Sequence, residues 1–287
     1  MEFYYFGGRF NDERSLETPS SLEKHNFSGV MYTYDSTQGD MFTRTAKDIK
    51  QEEKIKYLIA IRPYTISPQY LGTINDSINE IMKDRLQVNF IAGYIKDHEK
   101  DTEGIVGDTD DNSSSIDKSE YMIKFLDVLN NMKQSNNPID FYVSTTNSYV
   151  FEATKKYKNK IILPYHIYKR KHWSDVHKNP SSKISLEIKD VEIMITMTPI
   201  IRKTEEELKL LDNYALRPVW KKGEVSKVLD DVEYFTYESF DEFIKTLEDD
   251  GIRHLLINAV PRAEAKVIIE FIKEYVDLKK KTGINLQ

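Results

Sequence analysis

YLIAIRPYTISPQYLGTINDSINEIMKDRLQVNFIAGYIKD, residues 57–97, decides the fold. Its two apolar runs, 57–61 and 86–92, have the length of strands, and the stretch between them has the length of a helix. Parallel strands cannot be joined by a tight turn and need a crossover of about a dozen residues or more, so this spacing predicts a β-α-β unit of a parallel sheet. Each strand stops on punctuation: Arg62-Pro63 and Ser67-Pro68 after the first, Ala92-Gly93 after the second. Proline has no N–H for the ladder and glycine no side chain to pack, so both free the strand end to face a ligand.

The same alternation extends in both directions. Residues 3–6 form a short aromatic first strand halted by Gly7-Gly8, which leaves Arg9 at its carboxyl end. Further strands are expected at 28–34, 139–143, 160–163, 190–201 and 254–258. Helices are expected at 15–24, 43–52, 120–132, 149–157, 204–216, 239–250 and 262–278. Met122, Phe125, Leu126, Leu129 and Met132 fall on one helix face, and Thr204 with Glu207 has the spacing of a capping box. Eight strands alternating with helices predict a single (β/α)8 TIM-barrel domain over residues 1–287, with any site at the carboxyl ends of the strands.

Composition narrows the partners. Lys plus Arg is 41 and Asp plus Glu is 47, a net charge of −6, so a nucleic-acid partner is not expected. With no cysteine, the chain has no disulfide, thiolate metal site or cysteine nucleophile, and a reducing cytoplasmic setting is expected. No run approaches the roughly 18 apolar residues of a membrane span. Asp108, Asp110 and Asn112 begin like a calcium loop, but Ser119 stands at its twelfth position, where a glutamate is required. His172 and His177, read on a short helix, are five apart rather than four, so no metal site is expected.

Ala60-x-Arg62-Pro63, Ser67-Pro68, Asp84-Arg85-Leu86, Asn89 and Gly93 follow one another in an order that resembles the luciferase-like monooxygenases, the family of bacterial luciferase and alkanesulfonate monooxygenase. The alkanesulfonate branch commonly reads A-L-R-P, S-P, G-R-L and N-x-x-T-G over this interval, and the similarity runs through nearly the whole chain. It implies a trimmed luciferase-like barrel that oxidises a small organic substrate with O2, using reduced FMN from a separate flavin reductase, and it implies a homodimer. Such a cofactor carries the hard chemistry and leaves the protein to bind and orient.

The resemblance puts Arg62, Asn89, Ala92 and Gly93 beside the flavin. It puts Ser144, Thr145 and Thr146, where relatives read G-G-S-S, at the flavin phosphate. Hydroxyls and amides at a helix start suit an anion, while Asn147 or Ser148 could simply cap that helix. Arg9, Gln38, Asp40, Thr196 and Thr198 fall on the substrate side, although Asp40 reads first as the cap of the helix it precedes. Relatives carry an arginine and a histidine on the seventh strand where this chain has Thr196 and Thr198, so no general base is assigned and no catalytic residue is named. Those losses, the changed phosphate turn and the shortened segment after the seventh strand support a second reading. In it, the barrel has lost catalysis and binds a flavin or another small anion, or serves as a partner subunit.

Overall fold

A computed structural model describes residues 1–8, 18–34, 40–49, 53–91, 115–132, 138–170, 172–174, 183–185, 188, 191–214, 232–259 and 262–282. The strands are β1 (Glu2–Gly8), β2 (Gly29–Thr33), β3 (Lys56–Ile61), β4 (Leu86–Ile91), β5 (Phe141–Ser144), β6 (Lys160–Pro164), β7 (His172–Ser174), β8 (Lys183–Ser185), β9 (Ile193–Arg202), β10 (Val232–Thr236) and β11 (His254–Ile257). Every pairing from β1 through β6 is parallel; β6 pairs with β9, β9 with β11 and β11 with β1. The result is the closed eight-stranded parallel barrel expected from the alternation.

Helices α1 (Pro19–Lys24), α2 (Met41–Asp48), α3 (Pro68–Met82), α4 (Ser115–Asn131), α5 (Ser148–Lys156), α6 (Tyr165–Arg170), α7 (Glu205–Tyr214), α8 (Tyr237–Asp249) and α9 (Arg262–Lys281) surround it. Strands covered on both faces read as continuous apolar runs because alternate residues enter two different cores. On β3, Tyr57, Ile59 and Ile61 pack outward under the helices, whereas Leu58 and Ala60 join Tyr4, Met31, Tyr142, Ile162, Met194 and Leu256 inside the barrel. Gly29 is the one place on β2 where a side chain cannot fit: a Cβ there would lie 2.3 Å from the Tyr4 ring.

The amino end of the barrel is closed by charge. Lys160 Nζ lies 2.9 Å from Asp140 and 3.4 Å from Glu192, and Lys56 Nζ lies 3.4 Å from Glu2. His254 sits between the two glutamates, 3.6 Å from Glu2 and 3.3 Å from Glu192. Burial holds the imidazole below its ordinary range, outweighing the two carboxylates that would charge it. Burial also pushes the Tyr4 and Tyr142 phenols far up, so both remain donors: Tyr4 to Gln87 at 3.0 Å and Tyr142 to Glu192 at 3.2 Å.

Several boundaries differ from expectation. Thr18 accepts from the Ser21 amide at 3.2 Å and Pro19 occupies the first turn, so α1 starts at Pro19 rather than at 15. Helix α4 begins at Ser115, inside the stretch read as loop. His172 lies in β7, paired antiparallel to β8, rather than on a helix, because α6 has already ended at Arg170; His177 lies outside the described residues. β9 outlasts the barrel: residues 198–202 leave it to pair with β10, a strand not expected in the interval after α7. At the end of β9, Arg202 donates two bonds of 2.7 and 2.8 Å to Glu264 in the first turn of α9.

Candidate active site at the carboxyl rim

Side-chain alternation carries the inner faces of five strands up to one rim. Above Leu58 and Ala60 comes Arg62; β4 brings Asn89 and Ile91, β5 brings Ser144, and β9 brings Thr196 and Thr198. On β11 the same period runs from His254 through Leu256 to Asn258, whose amide continues the ladder by donating to Met197 O at 2.8 Å.

Asn89 is 1 % exposed and is paired in register with Ala60 and Tyr142. Its Oδ1 accepts from the Ser144 hydroxyl at 2.9 Å, whereas its Nδ2 reaches only the Met31 thioether at 3.6 Å. A thioether is a weak acceptor, so a buried amide with two N–H donors is left underused.

The turn after β5 is organised by its own side chains. The buried Thr145 hydroxyl donates to Asn147 O at 3.1 Å and accepts from Asn147 N at 2.9 Å. Asn147 caps α5, accepting from the amides of Tyr149 at 2.8 Å and Val150 at 3.4 Å, and its Nδ2 donates to Ser119 at 3.1 Å. Capping by Asn147, one of the two roles weighed for this turn, is therefore in place. A hydroxyl has one proton, and that of Thr145 is used inside the turn. The exposed Thr146 hydroxyl and the Ser148 amide are among the groups of this turn that can meet an anion.

Arg62 opens a single 3-10 turn (Pro63–Thr65) and donates to the Tyr64 hydroxyl at 2.6 Å, its guanidinium carbon 5.8 Å from that ring centre. Asp40 caps α2, accepting from Thr43 N at 2.7 Å and Thr43 Oγ1 at 2.8 Å. It also lines a cleft of about 760 Å³ between α2 and α3, with Phe42, Ile61, Tyr70 and Ile74. Because Ile61 faces the outer core, this cleft lies on the outer side of β3, apart from the inward-facing set. Arg9, Gln38, Ala92 and Gly93 lie outside the described residues.

Among the described residues no cluster of His, Asp and Glu could hold a metal ion, and no helix is long and apolar enough to cross a membrane. Asn258 is the rim residue that sequence reasoning passed over, because it was read as the last residue of a strand and not as a side chain on its inner face. Parity with His254 and Leu256 was the signal that could have found it.

No family model matches the sequence. Solved structures do match in fold. A monooxygenase from Streptomyces bottropensis aligns at TM-score 0.61 and 12% identity, over 96% of this chain and 98% of its own. The oxygenating constituent of 3,6-diketocamphane monooxygenase from Pseudomonas putida, solved in complex with FMN, aligns at TM-score 0.60 and 12% identity over 95% and 97%. A coenzyme F420 dependent tetrahydromethanopterin reductase from Methanopyrus kandleri aligns at TM-score 0.59 and 11% identity, again over 95% and 97%. The chain has the barrel fold of the luciferase-like monooxygenases, the fold implied by the landmarks between Ala60 and Gly93.

Proposed function

We propose that this protein is a flavin-dependent monooxygenase that binds a flavin across the carboxyl ends of β3, β4 and β5 and oxidises a small organic substrate with O2. The observation that carries the proposal is the Asn89 amide, buried at the barrel mouth with only a thioether to donate to. A flavin ring edge offers carbonyl oxygens that suit this donor, so the residues present fit the group. FMN is the form favoured, supplied reduced by a separate reductase to a cytoplasmic homodimer; a deazaflavin would meet the same donor.

The reduced flavin would supply the electrons that activate O2. The chain's own residues bind and position. Asn89, fixed by the Ser144 hydroxyl, would hold the ring edge. Thr146 and the Ser148 amide would meet a phosphate at the start of α5, where the helix dipole favours negative charge. Arg62, steadied by Tyr64, places positive charge at the rim. The apolar wall formed by Met31, Ala60 and Phe6 would keep water from the ring.

The test is O2 consumption by the protein with FMN, NADH and a flavin reductase. Turnover that depends on this chain and on an added substrate supports the proposal, and saturable FMN binding without turnover across substrates favours the non-catalytic barrel. That second reading draws support from the Thr145 hydroxyl being used within its own turn, and from threonines at 196 and 198.

A further inference from the structure

We infer that the barrel mouth takes an uncharged, largely apolar substrate bearing one hydroxyl or amide N–H, and that Asn258 is the residue that recognises that donor. The inference rests on the proposed flavin-dependent activity and names the class of molecule it acts on.

Three observations converge on it. First, the strand-borne inner wall near the rim is Phe6, Met31, Ala60, Asn89, Ile91, Ser144, Thr196, Thr198 and Asn258, without an ionisable side chain among these described residues. Arg62, one residue past the end of β3, stands above it and donates to the Tyr64 hydroxyl. Deep on this wall, below Arg62, an anion would lose its water with no counter-charge among these described residues, which disfavours carboxylates and sulfonates there. Second, Phe6 and Ile91 are only partly buried, packed on the inner cluster, and so present apolar surface on which a hydrocarbon body can lie.

Third, the Asn258 Oδ1 is buried and has no hydrogen-bond partner. An amide oxygen left this way carries an unmet acceptor, which an O–H or N–H donor satisfies and an ether, ester or aldehyde oxygen does not. Asn258 stands level with Thr198 across the β9–β11 pairing, two residues beyond the matched Leu256 and Thr196, so acceptor and hydroxyls share one side of the wall.

The probes are six eight-carbon compounds: 1-octanol and octanamide as neutral donors, octanal and methyl octanoate as neutral compounds without a donor, and octanoate and 1-octanesulfonate as anions. Each is titrated into the FMN-loaded protein by calorimetry, after FMN binding has been measured alone. The expected order puts the two donors about tenfold tighter than the donor-free compounds, one hydrogen bond's worth, with the anions weakest. In Asn258→Leu the donor advantage should vanish while octanal affinity and FMN affinity stay within about twofold. In Asn258→Ser, which retains an acceptor oxygen, part of the advantage should return.

Anions that bind best, donors and donor-free compounds that bind alike, donors that do not bind, or an advantage that survives Asn258→Leu each overturn the inference while leaving FMN binding intact. Loss of FMN binding in the native protein overturns instead the flavin assignment on which the inference rests.

Discussion

Gly29→Ala is the substitution whose consequence follows most directly from the packing. Gly29 is paired in register with Tyr4 across β1 and β2, and an added Cβ would stand 2.3 Å from both Cδ1 and Cε1 of that ring. Ordinary carbon contacts begin near ~3.5 Å, so the ring or the strand must give way by about 1 Å. Neither has room. Tyr4 is fully buried, its hydroxyl donates to Gln87 at 3.0 Å, and its ring meets His254 edge-on with centroids 6.0 Å apart.

Overpacking of this kind destabilises by about 1–3 kcal/mol, and breaking the Tyr4–Gln87 bond adds about 1 kcal/mol. Against this, alanine stabilises by about 0.5 kcal/mol through the unfolded chain. A net loss of about 2–3 kcal/mol is expected, read from equilibrium urea denaturation. The double-mutant cycle isolates the cause: in a Tyr4→Leu background the ring is gone, and Gly29→Ala should destabilise by less than about 1 kcal/mol, a coupling of about 1–2 kcal/mol. A Gly29→Ala protein within about 0.5 kcal/mol of native, or a cycle that is additive, would refute the reasoning.

Three further outcomes are expected. His254 is held neutral in the native state by burial, so the unfolded chain, titrating near the ordinary 6.5, binds the extra proton first. Stability should therefore be fully present above that value and decline as pH falls through it toward the lower native pKa. His254→Gln should flatten the decline that begins as pH falls through about 6.5 in pH-dependent melting, and an unchanged slope would be contrary. Glu264→Gln leaves the Arg202 guanidinium, only 17 % exposed, without its carboxylate, and should destabilise by about 3 kcal/mol in denaturant titrations. Asn147→Ala removes the cap from two amides of α5 and should lower stability by about 1 kcal/mol, again read by denaturation.

What could be read from sequence was what is local or periodic. The punctuation at Arg62-Pro63 ends β3, Asp40 and Asn147 cap the helices they precede, and Glu207 N does bond the Thr204 hydroxyl at 3.3 Å. The Glu207 carboxylate bonds the Lys203 amide at 2.9 Å instead of the Thr204 amide, a one-residue slip that spacing cannot resolve. Nothing in the chain order announces that Glu2, Lys56, Asp140, Lys160, Glu192 and His254 would meet, because each stands at or just before a strand start and only closure of the barrel joins them. The seat that Gly29 leaves for Tyr4 depends on strand register, which a single sequence does not specify. Asn258 falls inside the strand expected at 254–258, and only its parity with His254 and Leu256 puts its side chain on the inner face.

The structure of the protein crystallised with FMN tests the central claim most directly. Density for the flavin ring against Asn89 at the barrel mouth, with the phosphate at Thr146 and the Ser148 amide, is the expected result. Flavin lodged in the cleft between α2 and α3, or a mouth that stays empty at saturating FMN, would contradict it.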